Sequence, residues 1–303
     1  MLLVANQGSA NATIVDLATG ATTELPVGTG PHEAAISPDG RWGIVTVYGT
    51  GPAPGNQLAV IDMSRRVVAR TVDLGEYRRP HDVAFLPGSS SLVLVTSEAS
   101  QRVVFADVVA GTVEGTIETR APASHMLALA NDGRTLFTAN VQAGGVSQLD
   151  AAARTFVRQI PVAPATEGIA ITPDGREVWV GSNQAGTVSI IAIATGQIAA
   201  TIRELGMPYR ITISPDGSRA LIPDPPGNRV HVVDVNARRV LGEIAVGGSP
   251  RGVDVAADNR TAFITLGPEG QVLVADLATR TVLGRHTVGT APDGVGWGVA
   301  PPR

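Results

Sequence analysis

From Ser124 the chain repeats itself every 42 residues. The marker is a proline or small residue, one variable residue, a short alternating apolar segment, and a turn resembling Ser-Pro-Asp-Gly-Arg. It occurs at Pro31–Arg41, Pro80–Ser90, Ser124–Arg134, Thr166–Arg176, Pro208–Ser218 and Pro250–Arg260, and one further step lands on Pro292. A repeat of this length means that one supersecondary unit buries its apolar face against copies of itself. Each unit reads as four short strands. In the unit from Thr166 they are GIAIT, EVWVGS, TVSIIAIA and IAATIRE, separated by PDGR, NQAG and TGQ. The alternation and β-branched content exclude a helical solenoid of similar period, and four strands per unit at this spacing predict propeller blades.

The two ends determine how the ring closes. The last marker has only a first strand, GVGWGVA, whereas the N-terminus opens with LLVAN, ATIVDLA and ATTELPV. Together they make one blade from both termini, which leaves no free sheet edge. The expected architecture is therefore an all-β, seven-bladed β-propeller with four antiparallel strands per blade. It forms one domain over 1–303, with the split blade built from 1–29 and 292–303.

Composition narrows the chemistry. The chain has no cysteine and no lysine, so thiolate nucleophiles, cysteine metal sites and lysine Schiff bases are excluded. A net charge of −4 gives no basic excess for binding phosphates, and nucleic acid is not an expected partner. No apolar run is long enough for a membrane helix, and no membrane partner is expected. The first residues lack the basic and apolar regions of a secretory signal. The expectation is a cytoplasmic protein if the chain is complete, and a periplasmic or secreted one if a signal has been removed.

The repeats LFTANVQAGGVSQLD (Leu136–Asp150) and LLVANQGSANATIVDL, the latter followed by PVGTGPHEAAISPDGR, resemble the YVTN family of bacterial β-propeller repeats. The resemblance covers the whole chain and implies the propeller fold. Its functional implications are broad, because similar proteins include exported binding proteins and related seven-bladed folds host lyases and lactonases. Members of the family usually carry glycine two residues after the marker proline. Here that place is held by Glu33, Asp82, Met126 and Arg210 in four of the units.

The residue directly after the marker is repeated around one rim of the channel. In order these residues are His32, His81, His125, Glu167, Tyr209, Arg251 and Asp293. Three of the chain's five histidines thus stand on consecutive blades, followed by a carboxylate. A rim histidine is often simply a hydrogen-bonded polar residue. Three together with a glutamate favour a divalent transition metal (zinc, manganese or iron), since imidazole and carboxylate suit these ions and the ring makes the ligands converge. The expected metal ligands are His32, His81, His125 and Glu167.

Opposite them, Arg251 is suited to an anionic group, with Tyr209 and Asp293 as proton donors or acceptors; a plain Arg251–Asp293 salt bridge is the alternative. Tyr48 and Glu98, in the loops after second strands, and Arg210 are expected substrate contacts. The loop Tyr48–Gln57 could form a lid. The GVGWG segment precedes no helix, and no GxSxG elbow is present. The expected function is a metal-dependent lyase, isomerase or hydrolase acting on a small, anionic, carboxylated or oxygen-rich substrate. The alternative is a non-catalytic scaffold binding a protein, glycan or small ligand on its top face.

Overall fold

A computed structural model of the chain describes residues 1–300; the end of the expected split blade, 301–303, lies outside the described residues. The described residues form seven sheets, each of four antiparallel strands, and no helix among them is long and apolar enough to cross a membrane. Six sheets follow chain order. The seventh pairs Pro292–Trp297 with Leu2–Asn6, then Asn11–Val15 and Thr22–Pro26, so the two ends of the chain share one blade. The first strands Pro31–Ile36, Pro80–Phe85, Ser124–Leu129, Thr166–Ile171, Thr212–Ile213, Pro250–Val255 and Pro292–Trp297 touch in succession and close the inner ring. The seven blades are numbered below in that order.

Apolar alternation builds the packing. Seven clusters fill the seven gaps between neighbouring blades, such as Ile44, Leu58, Val60, Val93 and Val95 between blades 1 and 2. Each such side chain removed from water contributes about 1.5–3 kcal/mol, so the ring is held by its blade interfaces. Turn chemistry supports it. Asp62, Asp107, Asp150, Asp234 and Asp276 end third strands and accept backbone N–H groups of the following turn. Asp39, Asp174 and Asp216 do the same in the Pro-Asp-Gly turns.

Two local features aim the rim. The residue ahead of the marker adopts the left-handed conformation at Gly30, Arg79, Ala123, Ala165 and Ala291, with φ between 49° and 64°. Immediately after the marker the ladder slips. Pro31 pairs with Val47 but Ala34 pairs with Val45, so His32 and Glu33 together oppose Thr46. The same bulge recurs between Pro80 and Val83, Ser124 and Leu127, Thr166 and Ile169, and Pro250 and Val253. A bulge leaves one extra residue unpaired and re-aims side chains. It breaks the two-residue alternation, and side chains at both bulge positions, such as His32 and Glu33, reach inward.

Blade 5 departs from the pattern. Its first strand, expected from Pro208, pairs regularly only over Thr212–Ile213. Opposite Tyr209 and Arg210 the second strand carries Pro223, which accepts from Tyr209 N at 3.0 Å but has no N–H to give.

Candidate metal centre

Three buried threonines tie down the bulges of blades 1, 2 and 6. Thr46 Oγ1 accepts from Glu33 N at 2.9 Å and donates to the His81 carbonyl at 2.8 Å. Thr96 repeats this between Asp82 N and the His125 carbonyl, and Thr265 between Gly252 N and the Asp293 carbonyl. Each threonine thus fixes its own blade's bulge to the rim residue of the next blade. The backbones of His81, His125 and Asp293 are positioned by these bonds.

The three rim imidazoles stack. His81 lies between the others, with ring centroids 3.9 Å from His32 and 3.5 Å from His125, while His32 and His125 are 6.4 Å apart. His81 is fully buried, and neither ring nitrogen has a hydrogen-bond partner. Nδ1 of His32 and Nδ1 of His125 are also buried without one. Burial, together with the neighbouring His125, His32 and Arg210, pushes the His81 imidazole well below its ordinary value. At neutral pH it is uncharged and keeps its nitrogen lone pair. Burial opposes charge on His125 too, but Glu167 and Glu98 outweigh it and raise that imidazole above its ordinary value.

Carboxylates surround the imidazoles. Among the described residues, two groups have ligand atoms mutually within 4.8 Å: His32, Glu33 and His81, and His81, Glu98 and His125. Glu33 and Glu98 therefore share clusters with the histidines. Glu167 lies 3.6 Å from His125 Nε2 but belongs to neither group; its oxygens accept from Arg210 at 3.0 Å and from Asn183. Asp293 Oδ2 is 3.3 Å from His32 Nδ1. Burial works against ionised Glu33, Glu98 and Glu167, yet Arg210 and a histidine keep Glu33 and Glu167 below the usual carboxylate range, and His125, Tyr48 and Arg79 do so for Glu98.

Arg210 is buried in the channel. Its guanidinium donates to Glu33 at 2.6 Å and Glu167 at 3.0 Å, and stands 3.7 Å from Asp293. Tyr209 lies between two guanidiniums, Arg210 at 4.5 Å and Arg251 at 5.0 Å from its ring centre. Arg251 donates to the Tyr209 hydroxyl at 3.1 Å. Arg251 and Asp293 do share a cleft of about 280 Å³ with Gln7, Gly267 and Pro292. Burial, reinforced by Asp293, pushes the Tyr209 phenol up to about 12.

On the opposite side Tyr48 leans over the histidines, its ring 5.1 Å from His32 and 5.7 Å from His81. Its hydroxyl donates to Glu98 at 2.7 Å and accepts from Arg79 at 3.1 Å, and Arg79 also donates to the Gly51 carbonyl. Arg79 thus ties the loop after Tyr48 to the rim. Arg79 and Glu98 line a second cleft of about 290 Å³. At the ends of other second strands, where the sequence predicts loops, Asn6, Asn140 and Asp224 are buried and hold the local strand connections.

Glu33 and Arg79 are the participants that rim counting misses. The signal for Glu33 is its place where the repeat elsewhere carries glycine. Blades 4, 6 and 7 keep Gly168, Gly252 and Gly294 there. A Cβ on Gly294 would come within 2.6 Å of the Glu33 Cα, and one on Gly168 within 2.8 Å of the Arg210 Cα. The glycines make room for the larger residues.

No family model matches the chain, and no curated protein matches it. Among solved structures it is similar to hydrazine synthase of Kuenenia stuttgartiensis, with a TM-score of 0.78, 18% sequence identity, and coverage of 90% of this chain and 91% of that one. At that identity the likeness is one of fold, the β-propeller.

Proposed function

We propose that this seven-bladed propeller, with repeats of YVTN type, is a metal-dependent enzyme of lyase, isomerase or hydrolase type. Its substrate in this reading is a small, anionic, carboxylated or oxygen-rich molecule bound at the top of the channel. One observation carries the reading. His81 is buried with both ring nitrogens unpartnered, between two imidazoles that each have a bare nitrogen of their own. Buried polar atoms in proteins are nearly always hydrogen-bonded, so the two bare nitrogens of His81, beside a His32 and a His125 nitrogen that face only carboxylates at 3.3 and 3.6 Å without hydrogen-bond geometry, suit an electrophile better than a packing role. With carboxylates alongside and no thiol in the chain, the donor set fits zinc, manganese or iron.

A divalent ion held there would polarise a substrate oxygen or activate water. The protein's own groups do the rest. His81, kept neutral by burial, offers one nitrogen lone pair without first losing a proton. Glu167 and Glu98 flank His125 at 3.6 Å, one beside each ring nitrogen. Arg251, at the mouth of its cleft, binds an anionic substrate group. The Tyr209 phenol, pushed up to about 12, keeps its proton at neutral pH and can donate it to a substrate oxygen. Asp293 lies 3.3 Å from His32 Nδ1 and places a carboxylate beside that ring. Arg210 gives its fork to Glu33 and Glu167, and so sets the charge beneath the substrate.

The test is metal analysis of untagged protein purified without nickel resin, followed by turnover assays on small hydroxy and oxo acids with and without chelator. Retained metal, chelator-sensitive turnover and a raised KM in Arg251→Gln with unchanged metal content are expected. Failure to take up zinc, manganese or iron(II) after incubation would overturn the reading.

A further inference from the structure

The rim ligands fall into two sets, not one. His32 and His125 never share a cluster; each joins His81 with its own carboxylate, Glu33 on one side and Glu98 on the other. The 6.4 Å between the outer rings separates them further than either stands from His81. The residue common to both sets is also the one with two bare, buried nitrogens. We propose that the channel mouth holds two divalent metal ions, one with His32 and Glu33, the other with His125 and Glu98, and that His81 is shared between them. The inference rests on the metal-centre reading above and deepens it.

The charge balance suits two cations. Glu33, Glu98, Glu167 and Asp293 converge on this region, against Arg210 inserted among three of them and Arg79 beside Glu98, which leaves the carboxylates in excess. Two ions sharing His81 require one nitrogen for each. The shared imidazole would then give up its ring proton to solvent and offer one nitrogen to each ion. The orphaned Nδ1 atoms of His32 and His125 point to the same division, since each outer ring has its own unpartnered nitrogen. Tyr48 spans both halves, packing its ring on His32 and His81 while its hydroxyl holds Glu98.

The experiment is stoichiometry on the full chain with zinc alone and copper(II) alone, after chelation and desalting. Two tightly held ions per chain are expected, with the first copper equivalent giving an electron paramagnetic resonance signal that the second diminishes through coupling across His81. One ion per chain would overturn the two-ion proposal and leave the single-centre reading standing; none would sink both. A double variant, His125→Ala with Glu98→Gln, is expected to keep one ion, and retention of two would overturn the assignment. Should that variant misfold by circular dichroism, His32→Ala tests the other half, and the wild-type count decides alone. Two uncoupled copper signals would overturn the shared role of His81.

Discussion

Arg210 crosses the channel from blade 5 to donate to Glu33 of blade 1 at 2.6 Å, and its other nitrogen donates to Glu167 of blade 4. All three side chains are at least nine-tenths or nearly nine-tenths buried. Removing one partner of a buried ion pair leaves an uncompensated charge, at a cost of about 3–5 kcal/mol. Arg210→Leu is therefore expected to lower the unfolding free energy from denaturant titration by an amount in that range, at neutral pH and without metal. A loss below about 1 kcal/mol would mean that Glu33 and Glu167 find water or protonate at little cost.

The partner of this crossing is a missing methyl group. Gly294 faces the Glu33 backbone so closely that a Cβ would lie 2.6 Å from its Cα, and backbone cannot swing aside as a side-chain tip can. Overpacking of this kind costs about 1–3 kcal/mol. Gly294→Ala is expected to lose that much in equilibrium unfolding. Gly284→Ala, where a Cβ would meet nothing within 4 Å, serves as the control and is expected to be near neutral.

The ring, its blades and its closing strands were legible in the sequence because each follows from local rules repeated seven times: alternation, turn residues and period. The histidine cluster was legible for the same reason, since the residue after the marker recurs at one rim. The channel crossing was not. Strict alternation would turn Glu33 away from the face that His32 occupies, and only the bulge brings both inward. In blade 1 that bulge is tied by Thr46 of the neighbouring strand to the His81 carbonyl of the next blade, a contact that no single repeat contains. Glu98 joins His125 through a loop conformation stabilised by Tyr48 and Arg79, and loop conformation has no period to read.

Deeper in the channel Asp254 accepts from Val255 N and Trp297 N, linking blade 6 to the closing blade. Burial pushes its carboxyl up to about 6 despite those bonds. A folded value above the unfolded one near 3.8 favours the protonated form in the fold. Its contribution is therefore fully present below about pH 4 and lost as pH rises through about 6. A rise of that size corresponds to a loss of about 3 kcal/mol. Asp254→Asn lacks the titration and adds a pH-independent offset. The difference in unfolding free energy between variant and wild type, measured from pH 4 to 7, is expected to shift in the variant's favour by that amount. A difference that stays flat would place the Asp254 carboxyl near its ordinary value.

Tyr48 separates a structural from a metal-linked role at the rim. Its hydroxyl donates to Glu98, and burial, with Glu98 beside it, pushes the phenol up to about 12, so the bond persists across the physiological range. Losing one hydrogen bond costs about 1 kcal/mol of stability, and a ligand freed from its supporting partner typically loses about 10–100-fold in metal affinity. Tyr48→Phe keeps the ring against His32 and His81 and deletes only the hydroxyl. It is expected to unfold within about 1 kcal/mol of wild type while binding zinc at least about tenfold more weakly in chelator competition. Unchanged zinc affinity at unchanged stability would detach Glu98 from the metal and leave Tyr48 as packing alone.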